Sequence, residues 1–119
     1  MKPFLKQRVE ELERQHPGAM VVVLTSTGEY LFASEACRTM LGYEPEEMEG
    51  HLATEFAAAE DIPHVQLTLQ DAMLNNESVT VNIRVRTKAG ELKPAHGAAA
   101  RVVDPETEAV YLVGWVLPS

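Results

Sequence analysis

The stretch that most strongly constrains the fold of this chain is MLGYEPEEMEG, residues 40–50. Gly42 is typical of a helix end, because glycine adopts the left-handed backbone there at little steric cost. The acidic run EPEEM at residues 44–48 favours a second helical turn, since carboxylates stabilise the first turn of a helix. Gly50 then breaks the chain again. The stretch therefore predicts two short helices separated by glycine turns.

Two strands are predicted on the N-terminal side of this stretch. Residues 19–25 are apolar and rich in β-branched side chains, which indicates a buried strand, and residues 29–33 indicate a second one. The turn residues 26–28 join the two strands into a hairpin. Ser34 is then expected to cap the helix that ends at Leu41, because a serine oxygen can accept hydrogen bonds from the free N–H groups of a helix start.

A longer helix is predicted on the C-terminal side. Residues 51–58 indicate a further short helical segment, and Asp61 is expected to cap a helix that runs to about Asn75. One apolar stripe of this helix consists of Ile62, Val65, Leu69, Ala72 and Met73. Leu67 and Leu74 lie on the opposite side, so the helix is expected to be buried on two faces.

Three further strands are predicted after this helix. In residues 79–86 apolar and polar side chains alternate, which is typical of a half-buried strand. Residues 91–103 form a long strand with many small residues, and residues 110–117 form the last strand. Short turns at 88–90 and 104–107 make these strands antiparallel. The predicted fold class is therefore α+β, a five-stranded antiparallel sheet with a block of short helices on one face.

A highly charged helix is predicted before the first strand, over residues 2–15, with Pro17 and Gly18 ending it. Its narrow apolar stripe consists of Phe4, Leu5, Val9 and Leu12. A narrow stripe on a terminal helix needs a partner, which is either the sheet of its own domain or a second copy of the chain. These four residues are therefore the candidate dimer interface, and packing on the chain's own sheet is the alternative.

The composition excludes several classes of protein. The 119 residues carry 10 Lys and Arg against 18 Asp and Glu, a net charge of −8. This balance argues against binding to nucleic acid or to an anionic membrane, because both need clustered cations. The single cysteine, Cys37, can form neither an internal disulfide nor a cysteine-based zinc site. The longest apolar run, residues 19–24, is far shorter than a membrane span, and a cytoplasmic protein is expected.

Four segments, taken in order, carry a resemblance to a known family. They are TGEYLF at 27–32, MLGYEPEEMEG at 40–50, EDIP at 60–63 and VNIRVRTKAG at 81–90. Together with the order of helices and strands, these segments resemble the PAS sensory domain over residues 19–117. The resemblance divides the chain into an N-terminal flanking helix, 1–17, and a PAS domain, 19–117.

The resemblance implies a domain that binds haem, flavin, a small metabolite or no ligand. Flavin-adduct chemistry needs a cysteine shortly after the position of Gly50, and residues 51–56 contain none. Haem-binding members usually take the axial histidine from the long helix, but His64 points away from the apolar stripe and is expected to be solvated. His96 lies in a strand among small residues and is either a ligand contact or a half-buried, hydrogen-bonded side chain. The cofactor is left open, with haem disfavoured.

The layout of the family and the apolar periodicity together give a set of candidate pocket residues between helices and sheet. The set is Met40, Leu41, Leu52, Phe56, Val65, Leu69, Ile83, His96, Ala98 and Gly114. The sequence contains no catalytic constellation, no phosphate-binding glycine loop and no metal-ligand set, so the chain is not expected to be an enzyme.

The function that the resemblance implies is that of a sensory and dimerisation module in a cytoplasmic signalling protein. A small ligand or a protein partner would bias the sheet and the N-terminal helix between two packings. A kinase, cyclase or transcription-type effector outside this sequence would receive the signal, and the module is expected to be a homodimer. The alternative is a ligand-free dimerisation scaffold with a filled core.

Overall fold

The structure of the protein is a computed structural model that describes all residues, 1–119. It contains four α-helices, two short 3₁₀ helices and five strands. In chain order these elements are α1 (Pro3–Gln15), β1 (Met20–Thr25), β2 (Tyr30–Ala33), α2 (Ala36–Leu41), α3 (Pro45–Met48), the 3₁₀ helices η1 (Ala53–Phe56) and η2 (Ala59–Asp61), α4 (Ile62–Leu74), β3 (Val79–Arg86), β4 (Leu92–Val103) and β5 (Val110–Pro118).

All five strands form one antiparallel sheet in the order β2-β1-β5-β4-β3. The last three strands follow one another as hairpins, and the first hairpin joins them through the pairing of β1 with β5. In that pairing Val21 lies opposite Trp115 and Val22 lies opposite Gly114. The predicted α+β class with five antiparallel strands is confirmed.

Different helices cover the two faces of the sheet. The inner face packs under α2, α3 and α4, where 15 buried residues form the main core. The outer face packs under α1, where a second cluster of five buried residues lies. The helical block and the N-terminal flanking helix of the predicted architecture are therefore both present. None of the helices has the length and apolar character that crossing a bilayer requires.

The neighbouring strands β4 and β5 approach each other very closely at Gly97. A Cβ atom built on Gly97 would lie 1.7 Å from the carbonyl oxygen of Trp115. Non-bonded atoms do not come so close in a packed interior, so only glycine fits this position. Gly114 on β5 is less constrained, because its added Cβ would lie 3.0 Å from the carbonyl oxygen of Ala98. Close backbone packing thus explains part of the small-residue composition of these strands.

Neither residue predicted to cap a helix makes a capping hydrogen bond: Glu35 and not Ser34 is the N-cap residue of α2, while Asp61 is the N-cap residue of α4 as predicted but its side chain binds elsewhere. Ser34 is buried, and its Oγ accepts a 2.9 Å hydrogen bond from the backbone N–H of Val21. This bond ties the chain before α2 to β1 and does not cap the helix. The carboxylate of Asp61, just before α4, accepts hydrogen bonds from Arg84 Nε at 2.9 Å and from Arg84 Nη2 at 3.0 Å.

The expectation that α4 is buried on two faces is also wrong. Its inner stripe, which includes Val65 and Ala72, is buried against the sheet. Leu67 and Leu74, in contrast, are 61% and 74% exposed. The reason is that the fold has a single layer of helices on this side of the sheet, so no other element covers the outer face of α4.

Candidate functional site

A small apolar cavity lies between the inner face of the sheet and α4. Its volume is about 80 Å³, and 15 of its 17 lining residues are hydrophobic. The strands form one wall, while α4 and η1 form the other. The lining residues are Met20, Val22, Leu24, Tyr30, Ala53, Val65, Thr68, Leu69, Ala72, Val81, Ile83, Val85, Ala98, Ala99, Gly114, Trp115 and Val116.

Two of the lining side chains carry a hydroxyl group. Thr68 donates its hydroxyl hydrogen to the backbone carbonyl of His64 at 3.0 Å. The side chain of Tyr30 is 8% exposed, whereas the hydroxyl of Tyr43, which does not line the cavity, donates to the backbone carbonyl of Arg86 at 3.1 Å. Burial raises the pKa of Tyr30 to about 12, so this hydroxyl stays neutral and able to donate at physiological pH.

The predicted pocket residues divide into three groups. Those that line the cavity are Val65, Leu69, Ile83, Ala98 and Gly114. Those that are buried in the adjoining core without lining it are Met40, Leu41 and Phe56. Leu52 is exposed, and its backbone forms a bridge with Glu29. The cavity therefore lies closer to α4 than the predicted set implies.

Both histidines considered as ligands lie outside the cavity. His96 is exposed on the outer face of the sheet, with Nδ1 3.0 Å from Ser119 Oγ. Its neighbour Ala95 belongs to the inner core, and successive side chains of a strand point to opposite faces, so His96 is removed from the pocket set. His64 is exposed on α4, with Nε2 2.7 Å from the carbonyl oxygen of Asn82. No histidine lines the cavity, and its volume is far too small for a porphyrin.

Most of the lining residues on the strands were missed by the prediction. The alternation of Met20, Val22 and Leu24 along β1 carries a usable signal, because residues two apart share one face of a strand. Tyr30 carries no comparable signal. Its inward orientation follows from the pairing of β2 with β1, which breaks register between Val23 and Leu24.

Two arginines of β3 form hydrogen bonds that connect the helical side of the cavity to the sheet. Arg86 Nη2 donates a 3.0 Å hydrogen bond to the carbonyl oxygen of Ala57, between η1 and η2. Arg84 donates to the carboxylates of Glu60 and Asp61, and this contact lowers the pKa of the Asp61 carboxyl. These polar contacts hold the 3₁₀ helices and the start of α4 at the rim, while the interior of the cavity remains apolar.

Helix α1 covers the outer face of the sheet, behind the cavity. Leu5 and Val9 are 0% and 3% exposed, and they pack against Val21, Val23 and Val113. Burial of side chains of this size contributes about 2 kcal/mol each. The apolar stripe of α1 therefore packs against the sheet of its own chain.

This packing encloses two of the four predicted dimer-contact residues within the chain itself. Leu5 and Val9 have no surface left for a second copy, because the sheet of the same chain encloses them. Phe4 and Leu12 lie at the edge of the same cluster and are partly buried. The ring of Phe4 stands edge-on to that of Tyr111, with 6.0 Å between the centroids. Leu5 and Val9 therefore pack on the chain's own sheet, while Phe4 and Leu12 keep part of their surface and stay a prediction as dimer contacts.

Both ends of α1 are attached by side chains outside this apolar cluster. At the N-terminal end, Lys2 Nζ lies 2.5 Å from the carboxylate of Asp104, in the turn between β4 and β5. At the C-terminal end, the ring of His16 stacks on Trp115, with 3.7 Å between the centroids and 13° between the planes. Trp115 is the only tryptophan of the chain, so its fluorescence reports on the docking of α1.

Acid is expected to loosen the N-terminal attachment of α1. The Lys2 ammonium group and the backbone N–H of Glu106 lower the pKa of the Asp104 carboxyl from 3.8 to about 2. Because the folded-state pKa is the lower one, the stabilisation is complete above pH 3.8 and is lost as the pH falls towards 2. An acid titration of the urea midpoint measures this loss. Asp104→Asn should be less stable at neutral pH and should lack this step, and identical acid profiles for both proteins would contradict the assignment.

Strand β5 connects the cavity directly with α1. Gly114 lines the cavity, while the residue before it, Val113, packs under α1. The residue after it, Trp115, carries the stacked ring of His16. Since successive residues of a strand face opposite sides, any shift of β5 at Gly114 also shifts the surface on which α1 is docked.

The strand order, the helical block and the enclosed cavity together define a PAS fold. The sequence profile of the PAS fold family matches residues 30–116. Because this match covers more than half of the chain, the protein belongs to the PAS family. The family predicted from the sequence motifs is thereby confirmed.

Several solved structures are similar to this fold, although their sequences have diverged. The PAS domain of a protein from Colwellia psychrerythraea is 20% identical, with a TM-score of 0.79 over 98% of this chain and 97% of that one. The PAS-B domain of Cycle from Drosophila melanogaster, with bound ethylene glycol, is 20% identical. Its TM-score is 0.77 over 84% of this chain and 99% of that one. A sensory box histidine kinase/response regulator from Burkholderia thailandensis is 22% identical. Its TM-score is 0.67 over 92% of this chain and 82% of that one. No curated protein sequence matches the chain significantly.

Proposed function

We propose that this chain is the sensory module of a signalling protein, in which a small molecule in the cavity controls the packing of α1. The observation that carries this proposal is the position of β5 between the two, where Gly114 and Trp115 line the cavity while Val113 and the ring of Trp115 contact α1. A molecule that displaces the backbone at Gly114 changes the docking surface of α1 without an intermediate element. Such a module acts without catalytic residues.

The expected ligand is a very small molecule that is mostly apolar and carries one polar group. A cavity of about 80 Å³ has room for only a few non-hydrogen atoms, since one water molecule occupies about 30 Å³ of the liquid. The hydrophobic lining stabilises an apolar ligand, and the Tyr30 hydroxyl offers a donor for its polar group. A short-chain alcohol has this chemistry.

The proposal keeps the division into a flanking helix, 1–17, and a PAS domain, 19–117. Docked and released α1 are the two states whose populations the ligand would change. A kinase, cyclase or transcription-type effector would receive the signal, and the module would act as a homodimer. The name of the structurally similar sensory box histidine kinase/response regulator is consistent with such an effector.

The proposal is tested with 1-propanol as the probe and methyl NMR of the full chain as the readout. Propanol is small enough for the cavity and combines an alkyl chain with one hydroxyl. It is expected to shift the methyl signals of Leu69 and Ile83, which line the cavity, and also those of Val113 under α1. The shifts should saturate at roughly millimolar concentration, because a ligand of so few atoms gains little binding energy.

Two valine variants form a matched pair for this experiment. Val81 lines the cavity, so Val81→Ile fills part of the space and should weaken propanol binding roughly tenfold. Val103 is exposed, so Val103→Ile adds the same group and should leave binding unchanged. Tyr30→Phe keeps the shape but removes the hydroxyl, and it should weaken binding of propanol but not of xenon. Shifts that never saturate, or equal binding by the Val81→Ile protein, would overturn the proposed ligand site.

A ligand-free dimerisation scaffold is the second candidate function. The volume of the cavity favours it, because ordinary ligand pockets enclose about 300–1,000 Å³. A scaffold should show no saturable response of the cavity methyl groups to propanol or xenon. Its native mass spectrum should contain no small molecule, whereas a molecule that co-purifies with the protein would favour the sensor.

A further inference from the structure

His16 lies where α1 ends and meets the sheet. It is the C-cap residue of α1, and its backbone N–H donates to the carbonyl oxygen of Leu12. Its ring is stacked on the indole of Trp115, with 3.7 Å between the centroids. Histidine is the side chain that ordinarily changes its charge between about pH 5 and pH 8. The charge at this attachment of α1 therefore depends on pH in the physiological range.

The stacked geometry favours a protonated ring. The face of an indole is the negative part of its quadrupole, and it attracts a cation that lies within about 6 Å of the ring centroid. The rings of His16 and Trp115 are well inside this distance, and their planes differ by 13°. A neutral ring keeps only the apolar part of the contact. Protonation thus strengthens a contact that already exists and needs no rearrangement.

The position at the end of the helix favours the same charge. The last carbonyl groups of a helix have no partners within it and carry a partial negative charge, which stabilises a cation beside them. Pro17 and Gly18 follow His16 directly and lie outside α1, so the His16 ring is at this negative end. A partly buried cation there is stabilised more than an exposed one, and His16 is partly buried.

The charged groups that line the cleft beside His16 are mainly acidic. This cleft lies between α1 and the helical block, and its carboxylates belong to Glu13, Glu35, Glu46 and Glu49. Apart from His16, the only basic side chain of the cleft is Arg38, which pairs with Glu35 and Glu44. The cleft therefore adds a negative potential that favours protonation of His16.

Two basic side chains face His16 from other directions. Arg8, on α1, lines a groove together with His16 and Trp115, and the carboxylate of Glu11 lies 3.6 Å from it and offsets its charge. His96, on β4, lies edge-on to the same indole, with 6.4 Å between the centroids. This separation is beyond the reach of the attraction between a cation and the ring. His16 and not His96 is therefore the histidine that the indole stabilises when it is charged.

We propose that protonation of His16 tightens the docking of α1 on the sheet through its stack on Trp115, and so makes the N-terminal helix sensitive to pH. Because the docked helix favours the protonated ring, the added stability is full at the acidic end of the histidine range and is lost as the pH rises. The pair of Lys2 with Asp104 has the opposite sign, because acid weakens it. Its change is confined to below pH 3.8, so of these two attachments only His16 responds between about pH 5 and pH 8.

This inference concerns the docking of α1 and holds without a ligand. Only its consequence for signalling rests on the proposed function. If a molecule in the cavity releases α1, acid opposes that release, and more of the molecule is then needed for the same response. The experiment below contains no ligand and the propanol experiment is run at one pH, so either can fail without the other.

Urea unfolding of the full chain at about pH 5.5 and about pH 8 tests the role of His16. His16→Phe keeps an aromatic ring beside Trp115 but cannot be protonated. We expect the unfolding constant of this variant, divided by that of the original chain, to be about fivefold larger at the lower pH, because the variant lacks a cation at the helix end and over the indole. His16→Gln is also neutral and should show the same rise in acid.

Two further variants show whether the response arises at the stack. His96→Phe removes the other histidine beside Trp115, and its ratio to the original chain should change less than about twofold between the two pH values. In a Trp115→Leu background, His16→Phe should give a rise of only about twofold, because the indole face is gone while the helix end and the carboxylates remain.

Three results would overturn the proposal. The first is a ratio for His16→Phe that does not change with pH or that falls in acid. The second is an equal rise for His96→Phe, which would assign the response to the wrong histidine. The third is an undiminished rise in the Trp115→Leu background, which would show that the stack does not contribute.

Discussion

Replacement of Gly97 by alanine is expected to abolish or nearly abolish folding. The added Cβ would lie 1.7 Å from the carbonyl oxygen of Trp115, so β4 and β5 would have to separate within the sheet. Separation at this point disturbs both the main core and the surface on which α1 is docked. We therefore expect a loss of more than about 3 kcal/mol in the free energy of unfolding, beyond the usual range for overpacking. Urea unfolding followed by circular dichroism measures the loss, and soluble yield is a second readout.

Gly114→Ala is the matched control for this prediction. Its added Cβ would lie 3.0 Å from the carbonyl oxygen of Ala98 and 3.2 Å from the Cβ of Ala99. Small shifts relieve contacts of this length, so a loss of about 1 kcal/mol is expected, with the fold retained. Equal stabilities of the two variants, or a Gly97→Ala protein as stable as the original chain, would contradict the close approach of β4 to β5.

The double substitution Leu5→Glu/Val9→Glu is expected to release α1 from the sheet. Both side chains are buried, and an unpaired carboxylate is strongly disfavoured in an apolar interior. The helix should therefore detach, with a loss of about 4 kcal/mol of apolar burial in total. Trp115 then loses the ring of His16 and becomes solvated, so its emission should shift to longer wavelength. Fluorescence and urea unfolding together measure the release.

Gln7→Glu/Gln15→Glu is the control for this release, because it adds the same two charges at exposed positions of α1. This variant should keep the emission of Trp115 and the urea midpoint of the original chain. Sedimentation velocity tests the remaining alternative, in which α1 binds a second copy of the chain. If Leu5→Glu/Val9→Glu left the emission and the midpoint unchanged but split a dimer into monomers, α1 would bind a second copy and not its own sheet.

The local elements of the fold were predictable, because their signals are local. Period-two alternation defined β3, and glycine turns marked the ends of α2 and α3. The pairing of β1 with β5 has no local signal, since Val22 and Gly114 meet only in the folded chain. Tertiary contacts also overrode two good capping residues, because Ser34 binds Val21 and Asp61 binds Arg84.

The candidate site was only partly predictable for a related reason. Strand β4 carries alanine on both of its faces, so its composition does not show which face meets the cavity, and His96 was assigned to the wrong one. The stripe of α1 raised a similar ambiguity. An apolar stripe around Leu5 looks the same whether it packs on its own sheet or on a second copy, and only the enclosed position of Leu5 in the fold distinguishes the two.

The three attachments of α1 differ in physical kind, and this decides how the helix comes loose. Salt weakens the ion pair of Lys2 with Asp104, but it does not weaken the apolar packing of Leu5 or the stacking of His16 on Trp115. Raised ionic strength should therefore free Lys2, just before the helix, while α1 itself stays docked, because apolar packing holds Leu5 in its first turn. The ion pair thus positions the chain that enters α1, whereas release of the helix itself requires the apolar contacts to break.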